Sequence, residues 1–289
     1  MKSIAELIRE DRPNITDSSI KTYLFSLKKM GIDNIDDIDK VDNPNDIFDE
    51  IEDMKISQKR NMISCILVII KAVKKPEDLY EIYRKKCFDL GVEYSEEMAK
   101  NEKTETQEKN WIKIDELKKI TNKLIKKEPE SQNTLIAALY SFQPPTRLDY
   151  YSCQIITPNT PVDKTNNYLL IHNTRRKEFI FNDYKTSNKY NEVRVPVSKE
   201  LNKYINKFLK LNPDRKYLIQ NKNGEPVTRN FLGKLLPIIF KETGKKVTLN
   251  IIRHCYVSEK VDLEAVKSFK EIAAAMMHSS GMQQDYNKT

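Results

Sequence analysis

Four short segments in the C-terminal half carry side chains of the types that bind and attack phosphate esters. The segments are PPTRLDYY (144–151), DYKTSNKYNEVRVPV (183–197), LNIIRHCYVSE (249–259) and AAAMMHSSGMQQDY (273–286). Planar guanidinium groups bind two phosphate oxygens at once, and a lysine or histidine donates a hydrogen bond or a proton. A tyrosine hydroxyl acts as a nucleophile where nearby cations ease its deprotonation. The candidates are Arg147, Lys185, Arg253, His278 and Tyr286.

Each of these residues, taken alone, also has an ordinary structural explanation. Arg147 follows two prolines and fits the exposed start of a helix, and Lys185 fits a solvated turn. Arg253 is close in sequence to acids with which it can pair. His278 follows a run of alanines and methionines, as a core or capping histidine would, and Tyr286 is one of 14 tyrosines. Only the combination points to a reaction.

In combination, the five residues resemble the catalytic residues of the tyrosine recombinase (phage integrase) family. That family has an Arg early in a helix, a Lys in a β-hairpin turn, an H-x-x-R-H segment, a (G)H-x-S turn and a Tyr shortly after it. The residues at those positions, in the same order, are Arg147, Lys185, Arg253 with His254, His278 and Tyr286. The resemblance covers residues 111–286, and the segment RLDYY is similar to divergent members from large eukaryotic DNA viruses and their mobile elements.

The sequence departs from the family pattern at two informative places. Asn250 stands where the family has the first His of H-x-x-R, the residue credited with proton transfer from the nucleophile. An asparagine is no base near neutral pH, although it can donate a hydrogen bond to a phosphate oxygen. The acid expected three residues after the first Arg is Tyr150 here, and Asp149 lies one position earlier. Asn250, His254 and Asp149 are therefore further candidates for contacts with the phosphate or with the catalytic side chains.

The resemblance implies a site-specific recombinase or integrase that cuts and rejoins DNA through a 3′-phosphotyrosine, with no cofactor and no metal. Tyr286 would be the nucleophile, and Arg147 and Arg253 would hold the phosphate. His278 would donate a third hydrogen bond to it. Lys185 would give a proton to the leaving 5′-oxygen, and Lys189 is the alternative if the turn has a different register.

The implied partner is double-stranded DNA, bound by a homodimer or homotetramer. Two other functions agree with the same residues. One is a type IB topoisomerase, which shares these roles and tolerates a residue other than His where Asn250 stands. The other is a DNA-binding protein that has lost catalysis, which the altered residues at Asn250 and Tyr150 also favour.

The distribution of charge favours a polyanionic partner. The formal net charge is +8 over 289 residues. Residues 1–100 hold 17 bases and 21 acids, whereas residues 101–289 hold 33 bases and 21 acids. Ten of the N-terminal acids lie between Asp33 and Asp53. A basic surface binds DNA because each neutralised phosphate releases condensed counterions.

The hydrophobic patterning predicts two domains that are mainly α-helical, with a small antiparallel sheet. Apolar residues recur at helical spacing through residues 1–98, which predicts a helical domain similar to the family's SAM-like core-binding domain. The polar segment 99–110 is typical of a linker, and residues 111–289 form the predicted catalytic domain. The sheet is predicted from NYLLIH (167–172), KEFIFN (177–182) and EVRVPV (192–197).

The composition also bears on where the protein acts. The longest mainly apolar run, Ile63–Ile70, is interrupted only by Ser64 and is far shorter than the roughly 20 residues that cross a bilayer, and residues 1–14 have no signal-like apolar segment. The four cysteines are widely spaced, which favours neither a disulfide framework nor a zinc site. The sequence therefore predicts an intracellular protein, in either the cytoplasm or the nucleus.

Overall fold

A computed structural model describes residues 2–262, 265, 266 and 268. The chain divides into two compact units, Met1–Glu102 and Lys103–Thr289. The division falls within the segment 99–110 that the sequence predicts as a linker. No helix in the described part of the chain is both long and apolar enough to cross a membrane.

The first unit is built from helices packed around one central helix. Its α-helices are α1 (Ile4–Asp11), α2 (Asp17–Lys29), α3 (Pro44–Glu50), α4 (Ile56–Ala72) and α5 (Glu77–Ala99), with a 3-10 helix at Ile35–Asp42. Helix α4 packs against α1, α2 and α5. It is central because apolar residues cover most of its circumference, and Ile63, Ile66 and Ile69 are fully buried.

The second unit contains the candidate site. Its α-helices are α6 (Glu105–Asn110), α7 (Ile114–Lys127), α8 (Gln132–Ser141), α9 (Ser187–Tyr190), α10 (Lys199–Leu211), α11 (Arg229–Ile239) and α12 (Leu249–Lys260), with 3-10 helices at Asp149–Ser152 and Lys241–Thr243. Helix α8 is buried along its length from Thr134 to Ser141 and packs against α7, α10 and α11. It therefore forms the core of this unit.

Helix α6 occupies the second half of the predicted linker. Thr104 and Gln107 form a capping box that starts the helix. At its end, the buried Asn110 side chain accepts a hydrogen bond from the backbone N–H of Lys246 at 2.7 Å and donates one to the carbonyl of Thr106 at 2.8 Å. The hydrophobic pattern of 99–110 does not predict this contact, because it is made by the amide of Asn110 and not by an apolar side chain.

The sheet has four strands: β1 (Gln154–Ile156), β2 (Tyr168–Ile171), β3 (Lys177–Phe181) and β4 (Val193–Pro196). They are ordered β1-β2-β3-β4. The antiparallel pairs β2–β3 and β3–β4 confirm the predicted strands, with Leu169 opposite Phe179 and Phe179 opposite Val195. Strand β1 runs parallel to β2, so the sheet is mixed and not purely antiparallel as predicted. The mainly helical class with a small sheet is confirmed.

Candidate active site

Arg147 lies in the loop between α8 and the 3-10 helix at Asp149–Ser152. Pro144 and Pro145 prevent the helix from continuing beyond α8, because proline lacks the backbone N–H that a helix needs. The Tyr140 hydroxyl donates a hydrogen bond to the carbonyl of Arg147 at 3.0 Å, and the Tyr140 ring is buried in the core. The backbone of Arg147 is thus fixed while its side chain is exposed.

Arg253 lies one turn into α12, a helix held at both ends. The Thr248 side chain caps its start by accepting a hydrogen bond from the backbone N–H of Ile251. Near its end, Glu259 accepts a hydrogen bond from the backbone N–H of Ile114 at 3.0 Å. Ile252 and Cys255 are fully buried between these points. The half-buried Arg253 is therefore presented from a rigid element.

The Asp149 carboxyl lies within electrostatic reach of both candidate arginines. Asp149 is buried, with only 8% of the residue exposed. Burial raises the pKa of Asp149, whereas the positive charges of Arg229, Arg147 and Arg253 act to lower it. Two arginines from distant segments, Arg147 and Arg253, are thus both within electrostatic reach of one buried carboxyl.

The 3-10 helix at Asp149–Ser152 sets the directions in which the Asp149 and Tyr150 side chains point. Consecutive residues of such a helix point about 120° apart, since it has three residues per turn. Tyr150 therefore faces inward, where its ring lies 4.9 Å from that of Phe179 and 5.6 Å from that of Tyr140. Tyr150 is a core residue, and Asp149, the residue before it, points in a different direction.

We expect the Asp149→Asn variant to be more stable than the wild type at pH 7. Because burial outweighs the arginines and raises the pKa of Asp149, the folded state binds more protons than the unfolded state above the ordinary carboxyl pKa of about 4. The wild-type free energy of unfolding should therefore fall as pH rises from about 4 through that raised pKa. Urea unfolding of both proteins between pH 4 and 8 measures this. A variant that is less stable than the wild type at pH 7 would contradict the assignment.

Lys185 lies in the connection between β3 and β4, as the sequence predicts for a turn lysine. Its side chain is exposed, two residues after Asp183. Lys189, the alternative, lies on the short helix α9, with its ammonium 5.2 Å from the centre of the Tyr190 ring. Lys185 is two residues from Asp183 along the chain, and Lys189 is six residues from it. The general-acid role stays a prediction for both lysines.

Asn250 and His254 flank Arg253 on α12 and are both exposed. Residues three apart on a helix share a face, so Asn250 lies on the same side of α12 as Arg253. Adjacent residues point about 100° apart, which turns His254 away from Arg253. Asn250 can therefore contact the same phosphate as Arg253, whereas His254 is placed to contact something else.

The sequence pattern missed two charged residues at this site, Arg229 and Asp183. Arg229 is the first residue of α11, and its Nη2 lies 3.0 Å from Oδ2 of Asp183, just after β3. The guanidinium carbon of Arg229 also lies 4.8 Å from the centre of the Tyr151 ring. In the sequence, Thr228 and Arg229 resemble an ordinary helix start. No local pattern indicates that Arg229 pairs with Asp183, 46 residues earlier.

The remaining two predicted residues, His278 and Tyr286, lie outside the described part of the chain. Their assignments as phosphate ligand and nucleophile stay predictions from the sequence. The described residues include Arg147, Arg253, Asp149 and the connection that carries Lys185.

No protein-family model matches this chain, and no curated protein matches it by sequence. The solved structures that are similar to it include two recombinases. One is the crystal structure of XerA recombinase, with 15% identity and a TM-score of 0.38, covering 99% of this chain and 93% of that one. The other is XerH site-specific recombinase bound to its difH substrate in a pre-cleavage complex, with 15% identity and a TM-score of 0.49, covering 98% and 81%.

Proposed function

We propose that this protein is a site-specific DNA recombinase or integrase that acts through a 3′-phosphotyrosine intermediate. The observation that supports the proposal is that the positive charges of Arg147 and Arg253, from two separate segments, both act to lower the pKa of the buried Asp149 carboxyl. A merely solvated arginine needs no such partner. Double-stranded DNA is the proposed partner, bound by a homodimer or homotetramer.

The arginines hold the scissile phosphate and stabilise the charge that develops on it. As the pentacoordinate phosphorus forms, negative charge grows on the non-bridging oxygens. Fixed guanidinium groups stabilise this charge. The Asp149 carboxyl contributes a negative charge that offsets part of the repulsion among these groups, at the cost of its own burial. Asn250 adds a hydrogen bond from the same face of α12 as Arg253.

The chemical step exchanges one phosphoester for another. The Tyr286 oxygen bonds to phosphorus, its proton passes to water, and the bond from phosphorus to the 5′-oxygen breaks. Lys185 gives a proton to that leaving oxygen, which becomes a free 5′-hydroxyl. Attack of a 5′-hydroxyl on the phosphotyrosine reverses these changes and rejoins the strand, so no external energy source is needed.

Asn250 favours a second candidate function, DNA binding without catalysis. It occupies the exposed first turn of α12, where a base would be needed to accept the tyrosine proton. An amide cannot take that proton near neutral pH. Under this alternative the arginines bind the backbone phosphate and no covalent bond forms.

Trapping on nicked duplexes separates these possibilities. A nick close to the scissile phosphate lets the short leaving strand diffuse away, so the covalent complex accumulates and migrates slowly in a denaturing gel. We expect such a complex on duplexes that carry the target sequence. Relaxation of supercoiled plasmid without sequence preference would instead support a topoisomerase, and tight binding with no covalent complex would support the non-catalytic alternative.

DNA affinity should fall steeply with ionic strength. Each phosphate contact contributes about −0.9 to the slope of log affinity against log salt, so six or more contacts reduce affinity by about a thousandfold between 50 and 200 mM salt. Arg147→Gln removes one contact and should make the slope shallower by about 1. Fluorescence anisotropy with a labelled duplex measures both. A wild-type slope shallower than about −2 would contradict phosphate binding by this basic unit.

A further inference from the structure

The connection between β3 and β4 is held at its root by hydrogen bonds to Asp183. Oδ2 of Asp183 accepts a hydrogen bond from the Tyr151 hydroxyl at 2.9 Å and one from Nη2 of Arg229 at 3.0 Å. The backbone of Asp183 is held as well, because its N–H donates to Oδ1 of Asn167 and its carbonyl accepts from Nδ2 of Asn167, both at 2.9 Å.

Asn167 joins this root to the loop that carries Arg147. Its side chain is fully buried. Besides its bonds to Asp183, Nδ2 donates to the carbonyl of Asp149 at 3.0 Å, and Oδ1 accepts from the backbone N–H of Asn182 at 2.9 Å. Both donors and both acceptor positions of the amide are therefore used. This one side chain fixes the backbone beside Arg147 relative to the backbone that leads to Lys185.

Together these residues form a closed set of contacts between separate elements, which we call the anchor cluster. Its members are Tyr151, Asn167, Asp183 and Arg229. The hydrogen bond from Arg229 to the Asp183 carboxylate joins two charged groups and is therefore charge-assisted. The two side chains are 43% and 45% exposed, so they lie at the surface of the site and not within the core.

Lys185 follows the anchor cluster by two residues. Two residues of chain span at most about 7 Å, so the position of Asp183 restricts where the Lys185 backbone can lie. The Tyr184 hydroxyl donates to the carbonyl of Asn191 at 2.8 Å, which closes the connection on itself beyond that point. The start of the connection is therefore oriented where Asp183 is held, and its end is held by the pairing of Phe181 with Val193.

We propose that the anchor cluster positions Lys185 for proton donation to the leaving 5′-oxygen. Asp183 and Arg229 are positioning residues in this account, and neither needs to touch the DNA for it. The proposal rests on the function proposed above. A displacement of about 1 Å can cost on the order of a hundredfold in rate, so loosening the root of the connection should slow the step that needs Lys185.

A substrate with a sulfur atom in place of the bridging 5′-oxygen isolates that step. A thiolate leaves without protonation because its conjugate acid has a pKa of about 8.5, whereas an alkoxide needs the proton. In single-turnover cleavage of a duplex in which the wild-type cut has been mapped, Asp183→Asn should be at least about tenfold slower than wild type on the oxygen substrate. On the sulfur substrate it should come within about twofold of wild type. Lys185→Ala should show the same rescue.

Arg194→Gln provides the matched control. Arg194 lies on β4 in the same hairpin and is 48% exposed. Its ion pairs are with Glu192 at 2.7 Å and Glu178 at 3.3 Å, and neither glutamate belongs to the anchor cluster. The Arg194→Gln variant should cleave both substrates within about twofold of the wild-type rate. Tyr151→Phe keeps the ring and removes only one hydrogen bond to Asp183, so it should show a smaller loss with the same rescue.

The outcomes are distinguishable. Equal slowing of Asp183→Asn on both substrates, or no slowing on the oxygen substrate, would overturn the positioning role. If Asp183→Asn fails to fold, as judged by circular dichroism, the same comparison with Tyr151→Phe decides the matter. If the wild-type protein cleaves neither substrate, the proposed function is wrong and the positioning role falls with it.

Discussion

Tyr286→Phe is expected to abolish covalent attachment to DNA. Phenylalanine keeps the ring but has no oxygen to bond to phosphorus, so no phosphotyrosine forms. DNA affinity should stay within about twofold of wild type, because Tyr286 contributes no cation to phosphate binding. Denaturing gels of trapped nicked duplexes measure the covalent complex, and anisotropy measures binding.

A matched control comes from a tyrosine of the first unit. Tyr94 lies on α5, with the guanidinium carbon of Arg60 at 5.9 Å from its ring centre. Tyr94→Phe makes the same chemical change and keeps the ring over which Arg60 lies. It should trap DNA as the wild type does. A covalent complex of wild-type yield from Tyr286→Phe would show that another side chain is the nucleophile.

Arg147→Gln and Arg253→Gln are each expected to slow cleavage by a hundredfold or more. Each variant removes a fixed cation from the transition state, and the loss of one such preorganised donor costs about 3 kcal/mol. Single-turnover rates at saturating protein separate this effect from weaker binding. Lysine at either position should recover only part of the rate, because an ammonium keeps the charge but not the planar pair of donors.

An arginine of the first unit controls for the change in charge. Arg84 forms a surface ion pair with Glu81 within α5, at 2.6 Å. Arg84→Gln should leave the cleavage rate at saturating protein within about twofold of wild type. Rates for Arg147→Gln and Arg253→Gln that match this control would mean that the two arginines bind DNA without acting on the reacting phosphate.

The secondary structure was largely predictable because its signals are local. Helices α10 and α11 follow from apolar residues at helical spacing, and strands β2, β3 and β4 follow from β-branched and aromatic runs between polar turns. Strand β1 was not predictable. It is three residues long and is stabilised by distant partners, including a hydrogen bond from Ile155 to the carbonyl of Lys216 at 2.9 Å.

The candidate site was predictable only in part. The order of Arg147, Lys185 and Arg253 is visible in the sequence, because a motif can be recognised without its geometry. The role of Asp149 depends on which way a short 3-10 helix turns Tyr150, and that is settled by aromatic packing in the core. The ion pair of Asp183 with Arg229 joins two elements that no local pattern connects.

The most direct test of the proposed reaction is the chemical identity of the trapped DNA–protein bond. After nuclease and protease digestion of a trapped complex, mass spectrometry should find a nucleotide joined through its 3′-phosphate to the peptide that contains Tyr286, and the released strand should begin with a 5′-hydroxyl. Attachment to a different residue, or a released strand that begins with a 5′-phosphate, would contradict the account.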